Sequence, residues 1–115
     1  MKRIDLTGSS EYLVILGYDE GAYECYSCQD EIEVFQVLTD RIKDEIDYNE
    51  TYESTILEDE IIKAFIDYIK VHDVVTNPEI LRGCWDILFA DCWWYMVISR
   101  SGEVLYSWDW HQRGT

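Results

Sequence analysis

The chain has 115 residues, 48% of them hydrophobic and 15% aromatic, with a formal net charge of −15 at pH 7. That size and apolar content predict one domain over residues 1–115 with a core that needs neither metal nor disulfides, and five Trp and nine Tyr argue against disorder. So acidic a chain is poorly suited to bind nucleic acid or an anionic membrane surface directly, since both are negative, and no apolar run reaches the length of a membrane span.

Residues 1–10 read as a polar lead-in without an apolar signal core, which points to a cytoplasmic protein of a bacterial or virus-infected host cell. The four cysteines are then expected as reduced thiols. Tyr12-Leu13-Val14-Ile15-Leu16 is a short apolar run that reads as a buried strand. Gly17 to Gly21 has turn chemistry, and Ala22 to Ser27 can return as a second strand. Asp30 is a suitable N-cap, with Glu33 three residues on. Ile32, Phe35, Leu38, Ile42 and Ile46 fall on one arc at roughly 100° per residue, predicting an amphipathic helix over 30–47. Tyr48 to Ser54 reads as polar connection. Thr55 and Glu58 fit a capping box for a second helix over 56–72, with Ile61, Ile62, Phe65, Ile66 and Ile69 on its buried side.

Asn77-Pro78 starts a turn or a short helix ending near Gly83. Residues 85–90 fit either strand or helix. Trp93 to Ser99 and Val104 to Trp110 read as strands joined by a tight Ser101-Gly102 turn. Strands and helices are segregated. The expected fold is α+β: an antiparallel sheet of four or five strands, from an N-terminal hairpin and a C-terminal hairpin or meander, with two or three helices on one face.

The acidity is concentrated. Fifteen of the 24 carboxylates lie between Asp19 and Glu60, where Arg41 and Lys43 are the only bases. Some of these acids have local tasks: Asp30, Glu31, Glu58, Asp59 and Glu60 sit at expected helix N-termini, where the macrodipole favours anions. Asp40, Asp44, Glu45 and Asp47 fall in the C-terminal half of the first helix, where it disfavours them by about 0.3–1 kcal/mol each. Glu33, Asp40, Asp44 and Asp47 share an arc opposite the apolar stripe, at intervals of roughly 10, 6 and 4.5 Å. That is the length scale of successive phosphates on a nucleic-acid strand. Such a line of charge either keeps a helix solvated or steers a cationic partner.

A two-residue turn at Ser101-Gly102 places Trp93 opposite Trp110, Tyr95 opposite Trp108 and Val97 opposite Tyr106, all on one sheet face. The other face carries Trp94, Met96, Ile98, Leu105, Ser107 and Asp109. An exposed ladder of Trp and Tyr is common hot-spot material; a covered one is core. This aromatic strand pair, Trp94 to Ile98 and Val104 to Trp108, resembles those that follow a helical part in small immunity and inhibitor proteins. The leading hairpin departs from that pattern.

Chemistry-bearing motifs are sparse. Cys25-Tyr26-Ser27-Cys28 is a CxxC before a helix, a spacing that resembles dithiol oxidoreductases. Cys84 and Cys92 could join Cys25 and Cys28 as zinc ligands if hairpins brought them together, although their separation of eight is not a usual zinc spacing. No phosphate-binding loop, nucleophile elbow or paired metal-binding histidines are present. Neither catalytic residues nor a cofactor is expected. The leading expectation is a non-enzymatic acidic inhibitor of anti-defence, anti-CRISPR or immunity type. It would bind a basic nucleic-acid-handling protein through Glu33, Asp40, Asp44, Glu45 and Asp47, with Trp93, Tyr95, Tyr106, Trp108 and Trp110 as anchors. The alternatives are an assembly module, as homodimer or adaptor, built on the aromatic hairpin, and a small redox or zinc protein.

Overall fold

The computed structural model describes residues 11–18, 22–89 and 93–109. Trp110, Cys92 and most of the turn expected between the first two strands lie outside them. Four strands form one antiparallel sheet: β1 (Tyr12–Tyr18), β2 (Ala22–Cys28), β3 (Trp94–Ser99) and β4 (Val104–Asp109), in the order β2-β1-β3-β4. Three helices, α1 (Glu31–Thr51), α2 (Glu60–Lys70) and α3 (Pro78–Leu88), connect the two hairpins and pack on one sheet face. The expected α+β architecture is therefore present, with four strands and three helices.

β1 is one of the two inner strands, between β2 and β3, and is apolar on both sides. Val14 and Leu16 point to the helices, opposite Val97 and Tyr95 of β3. Leu13 and Ile15 point the other way, opposite Ile98 and Met96. Beneath the helices, Val14, Leu16, Tyr95, Val97 and Trp108 meet Phe35, Leu38 and Ile42 of α1 and Leu81, Trp85 and Leu88 of α3 in one continuous core. α2 forms an outer layer. It packs on α1, on α3 and on the 3-10 turn Thr55–Glu58, and contributes Ile62, Ile66 and Ile69 to the core.

Each helix starts where a side chain can satisfy its first amides. The Asp30 carboxylate accepts from the Glu33 amide at 2.9 Å, and the Glu33 carboxylate reaches back to the Gln29 amide at 2.8 Å. Asp59 accepts from the amides of Ile61 and Ile62, and Asn77 from those of Glu79 and Ile80, with Pro78 in the first turn.

Four boundaries differ from expectation. α1 continues through Tyr48 to Thr51. Thr55 to Glu58 forms a short 3-10 turn capped by Ser54, and Asp59 is the cap of α2. α3 runs through Gly83 to Leu88, which resolves the ambiguous 85–90 segment as largely helix. Gly83 does not stop the helix; its missing side chain admits the Phe65 ring of α2, which would lie 3.2 Å from a Cβ there. The hairpin loop closes with the Ser99 amide on the Glu103 carbonyl and Gly102 at φ 89°, so it is one residue longer than expected. An extra residue, Leu105, between the pairs Ile98/Val104 and Val97/Tyr106 absorbs the difference as a bulge. The Tyr95/Trp108 and Val97/Tyr106 pairs therefore survive.

Two residues leave their expected stripes. Ile32, at the edge of the α1 arc, is 55% exposed, with Val34 buried in the core instead. Ile61 is 66% exposed on the outer side of α2.

The segment between α2 and α3 is tied to α1 through a buried polar contact. The Val75 amide donates to Thr39 Oγ1 at 3.1 Å, and both residues are buried. Thr39→Val removes the acceptor and strands that amide. We expect a loss of about 1–3 kcal/mol in urea unfolding, with Thr39→Ser costing less because it keeps the hydroxyl. Equal losses for the two variants would refute the hydrogen-bond account.

Candidate functional site: the outer flank of the first helix

The core stripe of α1 fixes what its opposite flank presents. Asp40, Asp44 and Asp47 are exposed on that flank, separated along the axis by roughly 6 and 4.5 Å. Arg41 shares a recess with Asp40 and Asp44, and Lys43 and Lys70 share one with Asp47, but none of these cations closes an ion pair with them among the described residues. Asp40 accepts from the uncharged amide of Gln36 at 2.7 Å. Among the described residues, Asp44 and Asp47 make no ion pair.

The two cations of the acidic window are engaged elsewhere. The Arg41 guanidinium turns toward the sheet, where it pairs with Glu24 and lies 5.9 Å from the centre of the Trp93 ring. The Tyr26 hydroxyl donates to the same Glu24 carboxylate at 2.8 Å. Lys43 donates to the carbonyl of Asp73 at 3.4 Å. A recess of about 300 Å³ opens between this cluster and the acidic flank, lined by Leu16, Tyr26, Val37, Asp40, Arg41 and Asp44.

Two other acidic candidates have different roles. Glu33 is exposed but caps its own helix start. Glu45 falls toward the core side of α1 and is half-buried. Burial raises its carboxyl above the usual range, partly offset by Asn49 and Arg41. The continuous outward line is therefore Asp40, Asp44 and Asp47, with Glu33 about two turns away.

The described aromatic candidates, Trp93, Tyr95, Tyr106 and Trp108, pack against the helix side of the sheet. The helices cover the sheet face bearing Tyr95 and Trp108, which are 4% and 1% exposed. Tyr95 and Trp108 stack across β3 and β4 at 6.3 Å, and both lie against Trp85 of α3. The Trp108 indole N–H donates to Asp86. Trp93 and Tyr106 are half-buried, packed on Phe89 and Phe35 respectively. Tyr95 and Trp108 are thus core residues and cannot anchor a surface partner. The solvent-side face of the sheet carries Ile15, Cys25, Trp94, Met96 and Ile98, all half-buried. Trp94 lies against Gly17, where any Cβ would collide with the indole. The apolar residues on both faces of β1 and β3 signal two covered faces but not which one the helices take.

The CxxC does not form a dithiol site. Both cysteines lie on β2, three residues apart, so they point to opposite sheet faces: Cys25 beside Ile15, Cys28 into the core. Burial raises the Cys25 thiol and pushes Cys28 to about 11, with Glu33 and Asp30 adding to the latter. That is the reverse of an activated thiol. Cys84 is buried in the core. Among the described residues, no three potential metal-ligating side chains cluster.

The fold and this flank together define an acidic α+β protein with a line of exposed carboxylates on one helix that make no ion pair among the described residues. Comparison with protein-family models, curated proteins and solved structures gave no match. No described helix is long and apolar enough to cross a membrane.

Proposed function

We propose that this protein is a non-enzymatic inhibitor that presents the outer flank of α1 to a basic, nucleic-acid-handling protein and occupies its nucleic-acid site. The observation that carries this reading is the set Asp40, Asp44 and Asp47, exposed on one flank while Arg41 and Lys43 are held elsewhere. Helix energetics do not call for these residues, since all three lie in the interior of α1 (Glu31–Thr51), away from the first turn where the macrodipole favours anions. The adjoining recess offers Leu16, Val37 and Tyr26 to the stem of an arginine or lysine side chain and Asp40 and Asp44 to its charge, with Arg41, already paired to Glu24, also on its wall. A field of this sign accelerates encounter with a cationic groove and weakens as salt screens it. Such a protein belongs in the compartment of its target, a bacterial or virus-infected cytoplasm, and needs no cofactor. The dithiol reading has lost its geometry, and the hairpin-anchored assembly reading has lost Tyr95 and Trp108 to the core.

The test is capture from a lysate of the source cells by the immobilised protein, at low and high salt, beside Asp40→Lys/Asp44→Lys/Asp47→Lys. The wild type should retain a basic nucleic-acid-binding protein that elutes with salt and with competing DNA or RNA. The triple variant should lose it while melting within a few degrees of wild type, because all three positions are solvent-facing. Retention unchanged by the triple reversal rejects the acidic-flank mechanism.

A further inference from the structure

A second surface, distinct from the acidic flank, lies on the outer side of α2. Its inner side is accounted for by Ile62, Ile66 and Ile69. On the outer side, Ile61, Ala64, Tyr68 and Val71 follow one another at spacings of three, four and three, the spacing of a helix–helix seam. Ile61 and Val71 are 66% and 78% exposed. Beside the seam, Ala64, Phe65 and Tyr68 join Ile80 of α3 in lining an apolar recess of about 210 Å³. A helix of eleven residues does not need two apolar sides to fold onto one layer.

The charges along this seam differ from the rest of the protein. Glu60, Lys63, Asp67 and Lys70 alternate in sign down one margin. The margin is neutral in a chain of net charge −15. The alternation is also antisymmetric about Phe65: reversing the helix direction exchanges 60 with 70 and 63 with 67, each time an acid with a base. We propose that this face pairs with a second copy of the chain, α2 against α2, antiparallel about a two-fold axis near Phe65. Glu60 then opposes Lys70 of the partner subunit, and Lys63 opposes Asp67 of the partner subunit. A parallel pairing sets like charges together, and an unrelated basic protein gains nothing from a neutral margin. Lys63 and Lys70 already contact Glu60 at 3.5 Å and Glu50 at 3.0 Å within the chain. These are exposed pairs of small worth and can re-form across the axis. Asp67 has no ion pair among the described residues.

The salt dependence separates this surface from the acidic flank. Two chains of −15 repel, and the four exposed cross-axis pairs contribute only a few tenths of a kcal/mol each. Association through α2 should therefore tighten as salt rises, whereas binding through α1 should weaken.

Sedimentation equilibrium of the full chain, over a wide concentration range and at low and high salt, tests the proposal. A reversible monomer–dimer equilibrium that strengthens with salt is expected. Ile61→Glu should weaken it about tenfold or more, with Val71→Glu as a second probe at an exposed position. Lys63→Glu should weaken it by placing two acids together, and Lys63→Glu/Asp67→Lys should restore it to near the wild-type constant. Circular dichroism on each variant establishes that the fold is kept. Four outcomes overturn the proposal: a monomer throughout, a dimer indifferent to both Glu substitutions, a double variant no better than the single, or this face occupied by a different protein on a monomeric chain.

Discussion

Replacing Trp85 by Ala should lower the unfolding free energy by about 3–5 kcal/mol, a large share of the roughly 5–15 kcal/mol that holds such a fold together. Trp85 is 0% exposed. Its ring stacks on Phe89 at 3.7 Å and meets Tyr95, Trp108 and Trp93 at 4.9, 5.7 and 6.1 Å. It is the point where α3 meets strands β3 and β4, so its loss opens a void that several large rings border and cannot easily fill. Trp85→Phe tests the same site differently. The indole N–H of Trp85 finds no acceptor among the described residues, and a buried unpaired donor costs about 1–3 kcal/mol. Phe keeps one ring and removes that donor, so it should cost under about half of what Ala costs. Urea titrations followed by near-ultraviolet circular dichroism read both effects. An Ala variant within about 1 kcal/mol of wild type would mean that this cluster does not organise the core.

Alkali should unfold the protein through its buried weak acids. The Cys84 thiol, desolvated in the core, is pushed from 9.0 to about 12. Tyr95 rises from 10.0 to about 12, chiefly by burial, with Arg82 opposing and Asp86 adding. In both groups the folded state favours the neutral form. Their stabilisation is complete below the unfolded value and is lost as pH climbs from that value through the folded one. The loss should therefore begin near pH 9 and continue to about pH 12. For Cys84 alone it amounts to about 4 kcal/mol, in the same direction as the growing self-repulsion of an already acidic chain. Urea midpoints should be level from neutral pH to about 9 and then fall steeply. Cys84→Ala should start lower, because it leaves a small void, yet fall less steeply. Parallel curves for the two proteins would show that the thiol does not carry the alkaline transition.

Much of this architecture is legible in the residues because local and tertiary signals agree. Asp30 and the apolar stripe through Phe35, Leu38, Ile42 and Ile46 both specify α1, and the continuous apolar run of β1 specifies a strand covered on two faces. Legibility fails where two local signals compete. Thr55 and Glu58 imitate a capping box, but Asp59 lies nearer the apolar register of α2 and takes the cap. Gly83 resembles a helix stop until Phe65, a residue of another helix, is seen to need the space. The acidic site divides in the same way. Asp40, Asp44 and Asp47 follow from helical geometry alone. Glu45 is set apart by its tertiary surroundings, and Glu33 by a cap reaching back to Gln29. The Tyr95/Trp108 and Val97/Tyr106 pairs are legible from the turn signal, yet β1 and β3 are apolar on both sides, so nothing in them states which face the helices will occupy.

The inner position of β1 has a consequence for the chain's birth. β2 follows it at once, but its other neighbour, β3, begins at Trp94. At about 5–20 residues per second, the edge of β1 that β3 will cover stays open for roughly 4–15 s while the three helices are made. A ribosome that stalled after α3 would release a strand of Leu, Val and Ile with bare amides and carbonyls, a ready template for wrong partners. Quality control of this protein should therefore depend most on completing β3.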